Sequence, residues 1–191
     1  MTAASSVSPA KPFSRPPENI DAGPVVLWRN TVYDAGLVAD AIRESLDHLR
    51  PWMPWAIEEN ATVEHQAARL AGVVAGWDAG TDFVYVARFE NDPSFVGMIG
   101  MHRRIGPGGI EIGYWAHVRH AGRGYMTAAA KAITEAAAAL PDIDRVEIHT
   151  DEANVRSAAI PRKLGFRLDR VDLVTPDAPG CTGRMQIWVN P

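Results

Sequence analysis

The stretch from Phe83 to Leu140 restricts the fold more than any other part of the chain. Phe83–Phe89, Phe95–Met101 and Ile110–Val118 are runs of apolar, β-branched and aromatic residues. They are separated by two turn-forming segments, Asn91-Asp92-Pro93-Ser94 and Gly106-Pro107-Gly108-Gly109. Strands joined by loops this short pair antiparallel. The pattern then changes. Gly122–Leu140 is rich in alanine and sets Met126, Ala130, Ile133, Ala137 and Leu140 on one helical face, with Pro141 ending it. A short strand follows at Arg145–Thr150, then a helix over Asn154–Leu164 stopped by Gly165. Two closing strands come last, at Phe166–Val174 and Arg184–Val189. Helices inserted between strands force some parallel pairing, whereas the meander is antiparallel, so the sheet must be mixed.

Upstream, Val25–Trp28 reads as a first strand. Asp34 caps a helix running to Leu46, and Thr62 caps a second helix that Gly80 closes. Between the two helices, Arg50-Pro51-Trp52-Met53-Pro54-Trp55 cannot be helical, because each proline restricts the residue before it. The expected fold class is α+β: one domain over residues 21–191, with a central twisted, mostly antiparallel mixed sheet of six to seven strands and about four helices.

A length of 191 residues suits one domain with a sizeable core. Four of the first 17 residues are proline and no apolar segment accompanies them, so residues 1–20 read as a flexible tail and not a signal peptide. No apolar run approaches the ~18 residues of a membrane span. The net charge of −4, with 19 scattered basic residues, argues against nucleic acid as a partner. A single cysteine, Cys181, excludes an intrachain disulfide and a multi-cysteine metal site. No metal is expected, and a reducing cytoplasm is the expected setting. Edge strands and six tryptophans are compatible with a homodimer.

The chemistry concentrates where the third meander strand runs through Arg119-His120-Ala121-Gly122-Arg123-Gly124 into the alanine-rich helix. Free N–H groups at a helix start attract anions. Glycine lets the backbone approach a phosphate closely, and Arg119 and Arg123 add positive charge. A diphosphate ligand suits such a turn. A dinucleotide-binding turn does not suit this sequence, since Thr127 stands where its third glycine belongs and the strand before it is the third of a meander.

Arg119-His120-Ala121-Gly122-Arg123-Gly124 resembles the coenzyme A signature [QR]-x-x-G-x-[GA] of GNAT acetyltransferases. Asn154 to Phe166 is similar to that family's N-x-x-[SA]…K-x-G-F segment. Glu111-Ile112-Gly113-Tyr114-Trp115 and the Pro51–Trp55 box resemble its RimJ/RimL-like branch, whose namesakes acetylate N-terminal amines of ribosomal proteins. The resemblance implies a sheet that splays between two central parallel strands, here the strand ending at Val118 and Arg145–Thr150, so that the pantetheine arm inserts like an extra strand. It implies acetyl-CoA as cosubstrate and a primary amine as acceptor, on a peptide N-terminus or a small molecule. A transferase of a longer acyl-CoA and a silent acyl-CoA-binding module are the alternatives.

On the same resemblance, backbone N–H groups near His117 and Val118 would bind the thioester carbonyl or the pantetheine amides. Those of Ala121, Gly122, Arg123, Gly124, Tyr125, Met126 and Thr127 would take the pyrophosphate, with Arg119 and Arg123 assisting. Many family members carry a tyrosine at the position that is Pro161 here, and use it to protonate the thiolate. Ser157 and Asn154, the nearest matching polar groups, are therefore expected at the thiol or pantetheine. Pro161 also leaves the Ser157 carbonyl without its helical donor. Glu111 is the candidate base, with pairing to an arginine as its competing role, and Glu147 is in reserve. Trp52, Trp55 and Tyr114 are candidate walls of the acceptor groove.

Overall fold

Side-chain alternation along the middle strands gives the sheet two buried faces, and the helices divide between them. The structure, a computed structural model, describes residues 14–190. Its strands are β1 (Asn19–Asp21), β2 (Val26–Arg29), β3 (Asp82–Phe89), β4 (Asp92–His102), β5 (Gly109–Ala116), β6 (Arg145–Asp151), β7 (Arg167–Leu173) and β8 (Arg184–Val189). The helices are α1 (Ala35–Leu49), α2 (Val63–Ala79), α3 (Tyr125–Ala138) and α4 (Val155–Lys163). One sheet runs in the order β1-β2-β3-β4-β5-β6-β8-β7, and every neighbouring pair is antiparallel except β5 with β6. The fold is the α+β arrangement with four helices that the sequence implies.

Local chemistry explains the boundaries. The Thr62 hydroxyl accepts from the His65 N–H at 3.3 Å, and Gly80 ends α2 in the left-handed region at φ 74°. On one face of the sheet Phe83, Tyr85, Met101, Ile112 and Ile148 pack against Ala129, Ala130 and Ile133 of α3. Alanines let that helix lie close to the strands. At Gly97 the approach is so tight that a Cβ would stand 2.7 Å from Met126 Sδ and 2.5 Å from the Trp115 carbonyl oxygen. On the other face Val84, Val86 and Met98 are buried under Val38, Ile42 and Leu46 of α1 and Leu70 of α2.

The parallel pair is short. Its register runs from Gly109↔Arg145 to Ile112↔Ile148 and stops, although β5 continues to Ala116 and β6 to Asp151. The two strands part where the family resemblance implies a splay. Beyond Ile112, alternate N–H and C=O groups of β5 face the gap, and among the described residues no strand bonds them there.

Two expectations need correction. The sheet has eight strands, not six to seven, because Asn19–Asp21 adds a strand on β2. The expected tail over 1–20 overlaps that strand. Its first 13 residues lie outside the described part, but from Ser14 the backbone is tied down. The Tyr85 hydroxyl donates to the Pro17 carbonyl at 2.8 Å, and Arg103 reaches the Ser14 carbonyl at 3.0 Å. Among the described residues no helix is long and apolar enough to cross a membrane.

Candidate active site

The β5–α3 turn is built to present donors. Gly122 and Gly124 stand at φ 76° and 85°, which turns successive peptide planes the same way. Among the described residues, none of the six consecutive N–H groups from Ala121 to Met126 has an acceptor in the protein. The ladder of α3 begins only with the Thr127 and Ala128 N–H groups, both bonded to the Gly124 carbonyl at 3.0 Å.

This turn opens onto a cleft of ≈ 580 Å³ between the free end of β5, the start of α3, the C-terminal end of α1 and helix α4. Tyr114 and Ala116 line it from β5, and Gly122, Gly124, Met126 and Thr127 from the turn and α3. Asn154, Ser157 and Ile160 line it from α4. Asn154 caps that helix, its side chain accepting from the Ser157 N–H at 3.1 Å.

Pro161 lies inside α4 and cannot donate to the Ser157 carbonyl. A phenol from the neighbouring strand takes the vacant place. The Tyr114 hydroxyl donates to the Ser157 carbonyl at 3.0 Å and accepts from the Ser157 hydroxyl at 3.3 Å. Burial pushes the Tyr114 pKa up to about 12, so the phenol keeps its proton and stays a donor.

The family model for the acetyltransferase (GNAT) domain matches residues 25–167. The chain belongs to the GNAT acetyltransferases. Solved structures share the fold of this GNAT chain along nearly all its length. Mycobacterium smegmatis RimJ in complex with a CoA disulfide is 21% identical, with 93% of this chain and 90% of that one covered and a TM-score of 0.82. RimL, a ribosomal L7/L12 α-N-protein acetyltransferase in complex with coenzyme A, is 19% identical at 91% and 97% coverage and TM-score 0.81. The microcin C7 self-immunity acetyltransferase MccE, in complex with acetyl-CoA and AMP, is 16% identical at 91% and 96% coverage, also at 0.81. No curated protein matches in sequence.

Within this GNAT domain the structure gathers Trp52, Tyr114, Ala121, Gly122, Gly124, Met126, Thr127, Asn154 and Ser157 around one cleft. Other candidates stand elsewhere. The His117 N–H donates to the Val96 carbonyl at 2.9 Å, and the Val118 N–H to the buried Ser45 hydroxyl at 3.1 Å. Neither is free to meet a thioester carbonyl. The His117 ring accepts from the Arg119 N–H at 3.1 Å and lies 3.5 Å from Glu44, with burial lowering its pKa. Arg119 reaches out to Glu44 at 2.7 Å. Arg123 is exposed and does not line the cleft. Tyr125 packs edge-on against Phe89 at 5.2 Å, and Trp55 against Trp115 at 5.8 Å, as parts of the core.

Glu111 takes its competing role. Arg104 clasps both of its oxygens at 2.7 and 2.6 Å. Burial alone would raise its pKa, but the Arg104 hydrogen bond, then His149 and His102, hold the carboxyl below its usual value. A carboxylate so held is a weak base.

Sequence reasoning passed over Arg156 and Lys163 on α4 and His48 on α1, all on the cleft wall. Positions 156, 160 and 163 follow helical spacing along one face, a signal available in the sequence. Burial, then Arg156, lowers the His48 pKa. The far wall is closed by two loops, where the Gly180 N–H donates to the Pro51 carbonyl at 2.7 Å, beside Trp52.

Proposed function

We propose that this chain transfers an acetyl group from acetyl-CoA to a primary amine in a ternary complex. The acceptor is a protein or peptide N-terminus, or a small amine, met in the cytoplasm. The observation that carries the reading is the run of six unpartnered N–H groups at Ala121–Met126. Their shape and charge fit a diphosphate, with Arg156 and Lys163 near enough to add positive charge. The gap between β5 and β6 fits an extended amide-bearing arm, which completes the edge of β5 as an added strand would. Acetyl-CoA supplies the acetyl group as an activated thioester.

The residues of the chain then have distinct tasks. Ser157 and Tyr114 form the polar end of an otherwise apolar stretch of the cleft. The Tyr114 hydroxyl has two acceptors within reach, the carbonyl and the hydroxyl of Ser157. When it turns to the hydroxyl, Ser157 is free to donate to sulfur and stabilise the departing thiolate. Trp52 and Met53 border the acceptor side. An α-amine, with a pKa of about 8, is already about one-tenth neutral at pH 7, whereas a lysine amine at about 10.4 is far less so. That difference favours N-terminal acceptors, as do the RimJ and RimL neighbours.

The test is thiol release from acetyl-CoA with a panel of peptides differing in the first residue, polyamines and aminoglycosides, repeated with succinyl-CoA. The expected result is release dependent on a free amino group and faster with acetyl-CoA. Tight coenzyme A binding without release for any amine would establish a silent binding module instead. Faster turnover of succinyl-CoA would establish the longer-acyl reading.

A further inference from the structure

We propose that His102, oriented by Asp82, takes the proton of the acceptor amine, and that the amine approaches over the paired glycines Gly100 and Gly113. This rests on the acetyl transfer proposed above and adds the group that readies the acceptor.

The register places Asp82, His102, Glu111 and Glu147 opposite one another on four adjacent strands, β3 to β6. Directly opposed residues share a face, here the face covered by α1 and α2. The neighbouring residues on that face, Val84, Val86 and Met98, are apolar and buried. A polar row beside them has a desolvation cost, and each member has to be satisfied or put to use. Glu111 is satisfied by Arg104. Glu147 is satisfied by Arg145 at 2.8 Å and His149 at 2.6 Å. His102 is satisfied at one nitrogen only.

Its Nδ1 lies 2.6 Å from Asp82 Oδ1. A carboxylate accepts and does not donate, so Nδ1 carries a proton, and in the neutral ring Nε2 holds the lone pair. Among the described residues Nε2 has no partner. It sits 3.0 Å from where a Cβ on Gly100 would stand and 3.5 Å from one on Gly113. Gly100 and Gly113 are themselves a register pair, and Gly113 is the first β5 residue after the last pairing with β6. The free nitrogen therefore overlooks bare backbone at the point where the sheet opens. A base held by a third group is part of the geometry that proton abstraction requires, and Gly113 is followed directly by Tyr114 and Trp115, which line the cleft.

The surroundings of the ring are rich in carboxylates. Asp82 from β3 holds it directly, and Glu111 from β5 lies alongside, bound to Arg104. His149 from β6 is 3.8 Å from Glu111 and leads on to Glu147 and Arg145. Three carboxylates against two guanidiniums leave the row with an excess negative charge when both imidazoles are neutral. That excess attracts an ammonium. Among the described residues these side chains do not converge as a metal-holding group.

The protons balance. The ammonium gives one proton to His102 Nε2, and the freed lone pair forms the C–N bond as the C–S bond breaks towards sulfur. The second surplus proton on nitrogen matches the one gained by the thiolate at the Ser157 end. The amide keeps the third, and His102 returns its proton to solvent.

The experiment is kcat/KM for the best amine between pH 5.5 and 9.5, with coenzyme A affinity, in wild type, His102→Gln, Asp82→Asn and Gly113→Ala. His102→Gln should lose about 10²-fold at pH 7. The loss should shrink to a few-fold at pH 9.5, where the amine is already neutral, with coenzyme A affinity unchanged. Asp82→Asn should lose less and shift the acid limb of the profile. Gly113→Ala meets His102 only at ordinary contact distance, so it tests the path without unfolding the site, and should raise the amine KM. A His102→Gln profile within about threefold of wild type with the same acid limb overturns the proposal, as does an unchanged amine KM in Gly113→Ala. Absence of turnover in the wild type with every amine overturns the proposed transfer itself, and is separately recognisable.

Discussion

Replacing Gly124 by alanine isolates the contribution of backbone geometry at the anion-binding turn. Gly124 lies at φ 85° and ψ −9°, and a Cβ there meets nothing within 4 Å. The substitution therefore introduces no clash, only the left-handed penalty of about 1–2 kcal/mol for a residue with a Cβ. With no packing to hold it, the loop relaxes and the six N–H groups of Ala121–Met126 no longer converge. Coenzyme A then has to restore their arrangement on binding, and affinity falls by up to about 5- to 30-fold, since about 1.4 kcal/mol is a factor of ten. Any strain not relaxed appears instead as lost stability, so the two losses together are bounded by the same penalty. Gly23→Ala is the control: φ 77°, nothing within 4 Å of its Cβ, and a position in the β1–β2 turn. Titration calorimetry with coenzyme A and urea unfolding measure both quantities. Gly124→Ala binding as wild type, or Gly23→Ala weakening binding equally, would refute the role given to the turn.

Three further outcomes are expected. Ser157→Ala should cut turnover by about tenfold or more, the worth of a hydrogen bond to a charged group, with coenzyme A affinity within about twofold; unchanged turnover removes Ser157 from the mechanism. Arg156→Ala with Lys163→Ala should weaken coenzyme A binding by about 2- to 10-fold in dilute buffer, and the difference should fade in about 1 M salt, as exposed charges do. Asp151 accepts from the N–H groups of Ala153, Thr182 and Gly183 and from the Thr182 hydroxyl; burial would raise its pKa, but these bonds hold it below the ordinary 3.8. Its stabilisation is thus full above the unfolded value and lost as pH falls through the lower folded one. Asp151→Asn should cost about 1–3 kcal/mol at pH 7 and approach wild type only in strong acid, as urea unfolding at several pH values would show.

The parts of the fold that were legible in the sequence are those written in local periodicity. Alternation on the meander, the Thr62 cap, Gly80 and the alanine face of α3 all act within a few residues of one another. Strand β1 was not legible, because three residues, Asn19–Asp21, carry no period and are fixed only by pairing with β2 and by the Tyr85–Pro17 bond across 68 positions. The same limit applies at the site. Local reasoning finds the glycine turn and sees that Pro161 frees the Ser157 carbonyl. It cannot see that Tyr114 fills the vacancy, that Ser45 occupies the Val118 N–H, or that Arg104 claims Glu111, since each partner is set by tertiary packing.

The short parallel register also has a mechanical meaning. Among the described residues, Gly109↔Arg145 to Ile112↔Ile148 are the only rungs joining strands β1–β5 to the group β6, β8 and β7, so the sheet carries a half-open seam. A ligand lying in the open half works as a splint, bonding one lip and packing on the other. Its binding energy then adds to the cohesion of the domain, by about 2.7 kcal/mol when it is present at a hundred times its dissociation constant. Amide exchange should register this unevenly, slowing at Gly113–Ala116 and His149–Asp151 before anywhere else in the sheet.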